Sequence, residues 1–302
     1  MTPRAPDEKV SILKSVPFVA VHLVALALPF VTGVRWQWVL LALGTYALRM
    51  FFVTAGYHRY FSHRAFKTSR AFQLVLAFMA ETSAQKGVLW WARHHRHHHR
   101  WSDQPEDLHS PALRGFWWSH MGWILCSKYE QADLEAVRDL ARYPELRFLD
   151  RFHLLPPLLA LGALYLWGGL PFVVWGGFVS TVLLWHGTFF INSLTHVLGQ
   201  RRYATSDLSR NHWLLALVTL GEGWHNNHHY HQNTANQGWF WWEVDVSYYL
   251  LRLLGLLGLV WDLRTPSDAV KYAFRAYSPA QRAQLAYESR FGTEDRRAPS
   301  PT

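Results

Sequence analysis

The residues of this chain best suited to chemistry are its histidines, 18 among 302 residues. Most fall in four clusters: His58-Arg59-Tyr60-Phe61-Ser62-His63, Arg93-His94-His95-Arg96-His97-His98-His99, Asn192-Ser193-Leu194-Thr195-His196 and His225-Asn226-Asn227-His228-His229. In a helix, positions i, i+3 and i+4 share one face. His95, His98 and His99 have that spacing, and so do His225, His228 and His229. Asn192 and His196 stand at i and i+4, with Thr188 one turn earlier on the same stripe. His58 and His63 are five apart, a looser pair. Neutral imidazole is the commonest protein metal ligand and suits iron, zinc, copper and nickel. The ligand set His58, His63, His95, His98, His99, His196, His225, His228 and His229 exceeds what a tetrahedral zinc takes and fits two metals with four or five ligands each. The single cysteine, Cys126, excludes a cysteine-based zinc or iron–sulfur site and an internal disulfide. The chemistry that remains is a histidine-rich dinuclear iron site of the kind that activates dioxygen. A surface polyhistidine run is the plain alternative for His97-His98-His99 alone. His22, His153, His186 and His212 read as core, interfacial or span residues, and His94, His97 and His231 as spare members of their clusters.

Bringing four distant clusters together is a task for the segments between them. Residues 152–200 contain no Asp, Glu, Lys or Arg. As helix they would reach roughly 74 Å, twice a bilayer core of about 30 Å with a turn to spare. Gly168, Gly169 and Pro171 mark a hairpin turn, giving spans at 152–169 and 171–196. The N-terminal part repeats the layout, with spans at 16–34 and 36–57. Arg49 lies inside the second of these; it would snorkel, pair with an acid from the site, or mark a later start of the span. Trp36, Trp38, Trp167 and Trp175 sit near the span ends, as interfacial belts do. Segments 71–80 and 246–263 are too short or too charged to cross and read as interfacial or core helices.

The segment 58–151 carries 14 Lys and Arg and 197–302 carries 11, whereas the two hairpin turns carry only Arg35. By the positive-inside rule both termini and the large loop are cytoplasmic, and all four clusters fall on that side. The expected fold is an all-α integral membrane protein: four transmembrane helices in two hairpins, with a cytoplasmic helical cap holding the histidines. Residues 1–265 form its single domain and 266–302 a polar tail, disordered from Gly292 to Thr302. No cleavable signal peptide is read before the first span. Hydrophobic residues make up 50% of the chain and aromatic residues 16%, which excludes a disordered or collagen-like polypeptide. The net charge of +9 is mostly that of loops beside anionic lipid. Nucleic-acid binding would need a basic face with stacking aromatics, but here the aromatics lie in the spans.

The boxes HRYFSH (58–63), WARHHRHHH (91–99), NSLTH (192–196) and GEGWHNNHH (221–229) resemble, in order and separation, those of the membrane acyl-CoA desaturases of the stearoyl-CoA delta-9 type. The resemblance covers about residues 16–265, and SDLSRNHW (206–213) is most similar to bacterial members. It implies two irons held by the nine histidines, with Asn192 acting through a bound water. It also implies that Gln85, Trp91 and Thr188 shape the acyl tunnel beside the metals, and that Arg93 and Lys128 lie near the CoA head group. The chain departs from the animal pattern at Ser127 and His94, so acyl-lipid or acyl-carrier-protein substrates stay open beside acyl-CoA.

The implied activity is dioxygen-dependent insertion of a cis double bond into a saturated acyl chain, probed against a runner-up in which the same site hydroxylates a fatty-acyl chain or hydrocarbon. A metal carrier or sensor would instead place ligands along a path inside the spans. The chain shows no haem, flavin or iron–sulfur motif, so two electrons must come from a ferredoxin-type or haem carrier with its reductase. The expected location is a bacterial inner membrane.

Overall fold

The computed structural model describes residues 7–291, so the expected disorder of Gly292–Thr302 lies outside the described residues. Three helices are long and apolar enough to cross a membrane: Ser15–Thr32, Trp36–Ser62 and the 39-residue Leu155–Ser193. The first belongs to α1 (Ile12–Thr32), whose Leu26 and Phe30 are 68% and 87% exposed, as lipid-facing side chains are. α2 (Trp36–Phe52) runs without a break into ten π-helical residues, Val53–Ser62. The sequence spacing of His58 and His63 finds its reason here. A π turn bonds i to i+5, and the His63 amide donates to the His58 carbonyl at 3.2 Å. The wider turn brings the two rings to 4.8 Å between centroids.

The third apolar segment folds back on itself. α3 (Arg70–Glu81) and α4 (Val88–Trp101) precede it, and it comprises α5 (Leu155–Phe172), a π-helical run Val173–Val179, and α6 (Ser180–Ser193). Gly168 (φ −150°, ψ 18°) and Gly169 (φ 66°, ψ −153°) leave the helical region, and the second of these conformations is open essentially to glycine alone. The arms on either side then pack together through small residues. A Cβ on Gly177 would meet Leu161 Cδ2 at 2.5 Å, and one on Gly176 would meet Leu164 Cδ2 at 3.2 Å.

Arg49 neither snorkels nor meets an acid. It is buried between α2 and the π-helical run, donating to Thr181 Oγ1 (2.7 Å), Ser180 Oγ (2.5 Å) and the carbonyls of Thr82, Gly176 and Gly177 at 3.3, 3.3 and 3.4 Å. π-helical turns loosen the regular carbonyl ladder, which gives a buried guanidinium acceptors without a carboxylate. Trp36 and Trp167 are exposed, but Trp175 is buried and donates to Thr32 Oγ1 at 3.1 Å, so it joins helices rather than marking an interface.

The remaining elements form a cap over one end. α3 buries Gln73, Leu76, Ala77 and Ala80, in the manner of a core helix with one exposed side. α4 carries the second histidine box. Its N-terminal amides are met by two carboxylates: Glu81 accepts from Val88 N at 3.0 Å, and Asp150 accepts from Leu89 N and Trp90 N, both at 2.9 Å. Gly87 makes this possible, since a Cβ there would lie 2.1 Å from Asp150 Oδ1. α7 (His225–Tyr230) carries the fourth box and α8 (Val246–Leu256) follows. The strand Lys67–Thr68 pairs antiparallel with Val260–Trp261, closing the chain around the first box. The polar stretch after Arg264 is not a loose tail as far as it is described: α9 (Pro279–Phe291) buries Leu285 and Glu288, and Glu288 is ion-paired with Arg201.

Candidate metal centre

The nine histidines singled out by spacing converge in two adjoining groups. His58, His63, His95, His99 and His228 form one, and His98, His196, His225 and His229 the other; within each group one nitrogen per ring lies within 4.8 Å of all the others. The Nε2 atoms approach at 3.0 Å for His58 and His228, 2.8 Å for His63 and His95, 2.9 Å for His95 and His99, 2.9 Å for His99 and His228, and 3.1 Å for His196 and His225. Neighbouring nitrogens on a metal with bonds of about 2.1 Å stand about 3 Å apart when they subtend a right angle. The groups touch where the His99 and His229 rings come within 4.3 Å.

α4 divides its box between the groups, sending His95 and His99 to one and His98 to the other, and α7 does the same with His228 against His225 and His229. Two groups bridged by two helices, with nine donors, match two metal ions rather than one.

The ring nitrogens away from the centre decide whether the site fits a metal. His98 Nδ1 meets Asp107 at 3.1 Å, His196 Nδ1 meets Asp103 at 2.8 Å, His229 Nδ1 meets Asp207 at 2.7 Å, and His58 Nδ1 meets Glu222 in a short contact. Burial opposes ionisation of these acids, but the facing imidazoles and hydrogen bonds win and hold Asp103, Asp107, Asp207 and Glu222 below the usual carboxylate range. An ionised carboxylate only accepts, so each of these four rings donates its Nδ1–H and turns the Nε2 lone pair inward. His229 Nε2 is then a buried acceptor without a hydrogen-bond partner. Burial pushes His63, His95, His99, His225 and His228 well below the ordinary imidazole range, leaving them neutral. For His196 the Asp103 charge outweighs burial and raises it. Buried, convergent imidazoles, four of them backed by carboxylates, are a donor set for a soft-to-intermediate divalent metal.

Those four carboxylates were invisible to spacing. Glu222 and Asp207 sit inside quoted motifs, and Asp103 and Asp107 follow the second box directly, so only a rule that each ligand needs an outer partner would have found them. Arg59, fully buried within the first box, was also unassigned: it donates to Glu222 at 3.1 Å and to Asp245 at 3.0 Å, compensating both. His109 stacks on His98 at 4.3 Å and was not singled out either. His97 and His94 stay outside the two groups, held by the Glu106 and Trp90 carbonyls at 2.9 and 2.8 Å. His22 and His186 bond to each other at 3.1 Å between apolar helices, as structural residues do.

A cavity of about 500 Å³ reaches the first group. Gln85, Trp91, Thr188 and Asn192 line it beside His95, and the last three also line a small space of about 40 Å³ that continues past His98 and His225 to Met50. Trp91 stacks on His95 (4.8 Å) and Tyr57 (5.3 Å), and Gln85 Nε2 donates to Thr188 Oγ1 at 3.1 Å. α1 contributes Pro17, Phe18 and Val21 to the wall, and Lys86 and His153 also line it, which gives His153 a place that the sequence did not suggest. Arg93 and Lys128 are not among the lining residues. Lys128 is ion-paired instead with Asp7 at 3.0 Å and Glu8 at 3.9 Å.

Apolar helices of membrane-spanning length, capped by a carboxylate-backed histidine centre with an apolar cavity leading to it, are the features of a membrane protein with a candidate metal site. The chain belongs to the fatty acid desaturase family, whose pattern matches residues 35–257. It is similar to the Acyl-CoA 5-desaturase AL21 of Anemone leveillei, 39% identical over 254 residues, covering 83% of this chain and 78% of that protein. The sn-1 stearoyl-lipid 9-desaturase of Synechocystis sp. is 38% identical over 259 residues, covering 83% and 79%. The chloroplastic palmitoyl-monogalactosyldiacylglycerol delta-7 desaturase of Arabidopsis thaliana is 38% identical over 256 residues, covering 83% and 68%. The chain is therefore an oxidoreductase that introduces a double bond into fatty acyl chains with dioxygen, in lipid biosynthesis.

Proposed function

We propose that this chain inserts a cis double bond at the delta-9 position of a saturated acyl-CoA, using two irons held by His58, His63, His95, His99 and His228 and by His98, His196, His225 and His229. The observation that carries this reading is an apolar cavity of about 500 Å³ ending on the histidine centre. Such a volume lies within the ~300–1,000 Å³ range of small-ligand sites, and a saturated chain offers nothing but length and shape to recognise. The irons supply dioxygen activation when bound. The protein's own groups do the rest. Trp91, fixed by its stack on Tyr57, and the Gln85–Thr188 hydrogen bond form a rigid wall beside His95 that sets which methylenes face the centre. Asn192, one turn after Thr188 near the end of α6 and four residues before His196 in the following turn, places an amide where a bound water would be oriented.

The overall change is one saturated CH2–CH2 unit, dioxygen, two electrons and two protons giving one CH=CH unit and two waters. An external ferredoxin-type or haem carrier supplies the electrons. The four spans run 16–34, 36–57, 152–169 and 171–196 in a bacterial inner membrane, with both termini cytoplasmic; the Gly168–Gly169 reversal and the placing of the basic residues support this layout.

A second reading, an acyl chain esterified to a membrane lipid, is favoured by one observation. Lys128, a residue carried over for the CoA head group, is paired with Asp7, while Pro17, Phe18 and Val21 of the membrane helix α1 form part of the cavity wall.

The test is expression in a host lacking its own desaturase, followed by mass spectrometry with double-bond localisation, and by assays of the purified enzyme on stearoyl-CoA and on stearoyl-lipid vesicles. Loss of two hydrogens at carbons 9 and 10 from stearoyl-CoA is expected. Gain of one oxygen would mean hydroxylation, and product from the vesicles alone would make the lipid the substrate.

A further inference from the structure

A second groove, of about 540 Å³, shares no lining residue with the acyl cavity. Arg201, Arg202, Arg275, Arg282, Arg290 and Phe274 line it, and among the described residues no Asp or Glu does. Two of these arginines are committed inward: Arg201 to the buried Glu288, and Arg202 to the buried Glu243. The other three are exposed. Arg275 lies over the Tyr272 ring at 4.1 Å, and Arg282 donates to the Tyr277 and Arg275 carbonyls at 3.0 and 2.7 Å, which fixes the curve of the groove while leaving its charge outward.

The floor of this groove is the back of the metal centre. Arg201 Nη2 donates to the Asp207 carbonyl at 2.7 Å, and the Asp207 carboxylate accepts from His229 Nδ1, also at 2.7 Å. The backbone amides of Arg202 and Tyr203 donate to Asn226 Oδ1 at 2.8 and 2.7 Å, on α7 between His225 and His228. A surface one residue away from a ligand's outer partner is a short path for an electron. Because the acyl cavity is walled by other residues, the groove stays open with substrate bound.

We propose that this arginine groove docks an acidic one-electron carrier protein, which delivers electrons through the Asp207–His229 side of the centre. The proposal rests on the desaturase reading, which requires two electrons from outside. Each docking oxidises one reduced carrier by one electron, and two successive dockings supply the pair that, with two protons from solvent and the two substrate hydrogens, reduces dioxygen to two waters. Charge complementarity favours a protein of negative surface and gives it steered encounter. A bilayer is the poorer occupant. The cap has exposed large apolar residues at several places, among them Trp213, Leu214, Trp241, Trp242 and Leu256, but among the described residues none of them lines the groove.

The experiment uses the full chain in nanodiscs of zwitterionic lipid and, as probe, an acidic plant-type 2Fe–2S ferredoxin. Wild-type affinity should fall as salt rises. Arg275→Glu/Arg290→Glu should weaken binding about 10-fold or more at low salt, and the equal charge change Arg138→Glu/Arg147→Glu, on another exposed surface, should leave it unchanged. All three proteins should hold equal iron and give equal single turnover when dithionite and methyl viologen replace the ferredoxin. Arg290→Glu alone, with a smaller loss of affinity, covers the case in which the double variant does not fold. Unchanged ferredoxin binding in the groove variants overturns the proposal. So does a loss of affinity for phosphatidylglycerol vesicles with ferredoxin binding intact. Absence of unsaturated product with every reductant would instead sink the desaturase reading, while the binding data still report on the groove.

Discussion

His229 shows at the scale of one residue how the centre is built. Its Nδ1–H goes to Asp207, so its Nε2 lone pair has nowhere to point but inward. Asp207→Asn keeps an oxygen in place but removes the charge that orients and enriches the ring. Losing such an outer partner typically costs 10–100-fold in metal affinity. We expect a drop of about that size in iron retained against a chelator, with the fold unchanged by circular dichroism. Iron retention equal to wild type would mean that Asp207 only fills space. That these histidines share helix faces was legible in the sequence, because i, i+3, i+4 spacing is a local property of a helix. Their carboxylate partners were not. Asp103 lies 93 residues from His196, and no local pattern encodes a contact of that range.

At the scale of the element, α4 matters most: like α7 it gives histidines to both groups, and it is the longer of the two helices, 14 residues against six. Its register is set at its N-terminus, where Asp150 meets the free amides of Leu89 and Trp90 across Gly87. Gly87→Ala would put a methyl group 2.1 Å from Asp150 Oδ1, so the acid must withdraw. The loss of that cap plus the overpacking should cost about 1–3 kcal/mol. The expected outcome is a lower thermal midpoint in detergent together with less bound iron, since His95, His98 and His99 move with the helix. An unchanged midpoint would show that Asp150 does not anchor α4. Sequence reading placed the hairpin turn at Gly168 and Gly169, because glycine next to proline breaks an apolar run visibly. It did not foresee that the second helix widens into π turns over Val53–Ser62. That widening is what makes a five-residue spacing productive for His58 and His63.

Across the whole molecule, apolar helices expose their sides to lipid while the cap gathers all nine imidazoles at one end. Convergence was inferable, since charge bias places the four boxes on one side, but the cap's closure was not. It depends on pairings such as Lys67–Thr68 with Val260–Trp261, a strand at the end of the apolar segment 246–263 that reads as helix throughout, and on Arg201 with Glu288, in the polar stretch near the C-terminus. The cavity of about 500 Å³ belongs to this scale too, because α1, α4 and α6 each supply part of its wall. The proposed chemistry stands on the centre holding a pair of metals. The most direct measurement is iron per chain in protein purified from iron-replete cells, by elemental analysis against amino-acid quantitation, with His98→Ala and His228→Ala beside it. Two irons per wild-type chain, and a clear fall with loss of activity in each variant, is the expected result. A single metal atom or none in the wild type, or full iron and turnover in either variant, would contradict the account.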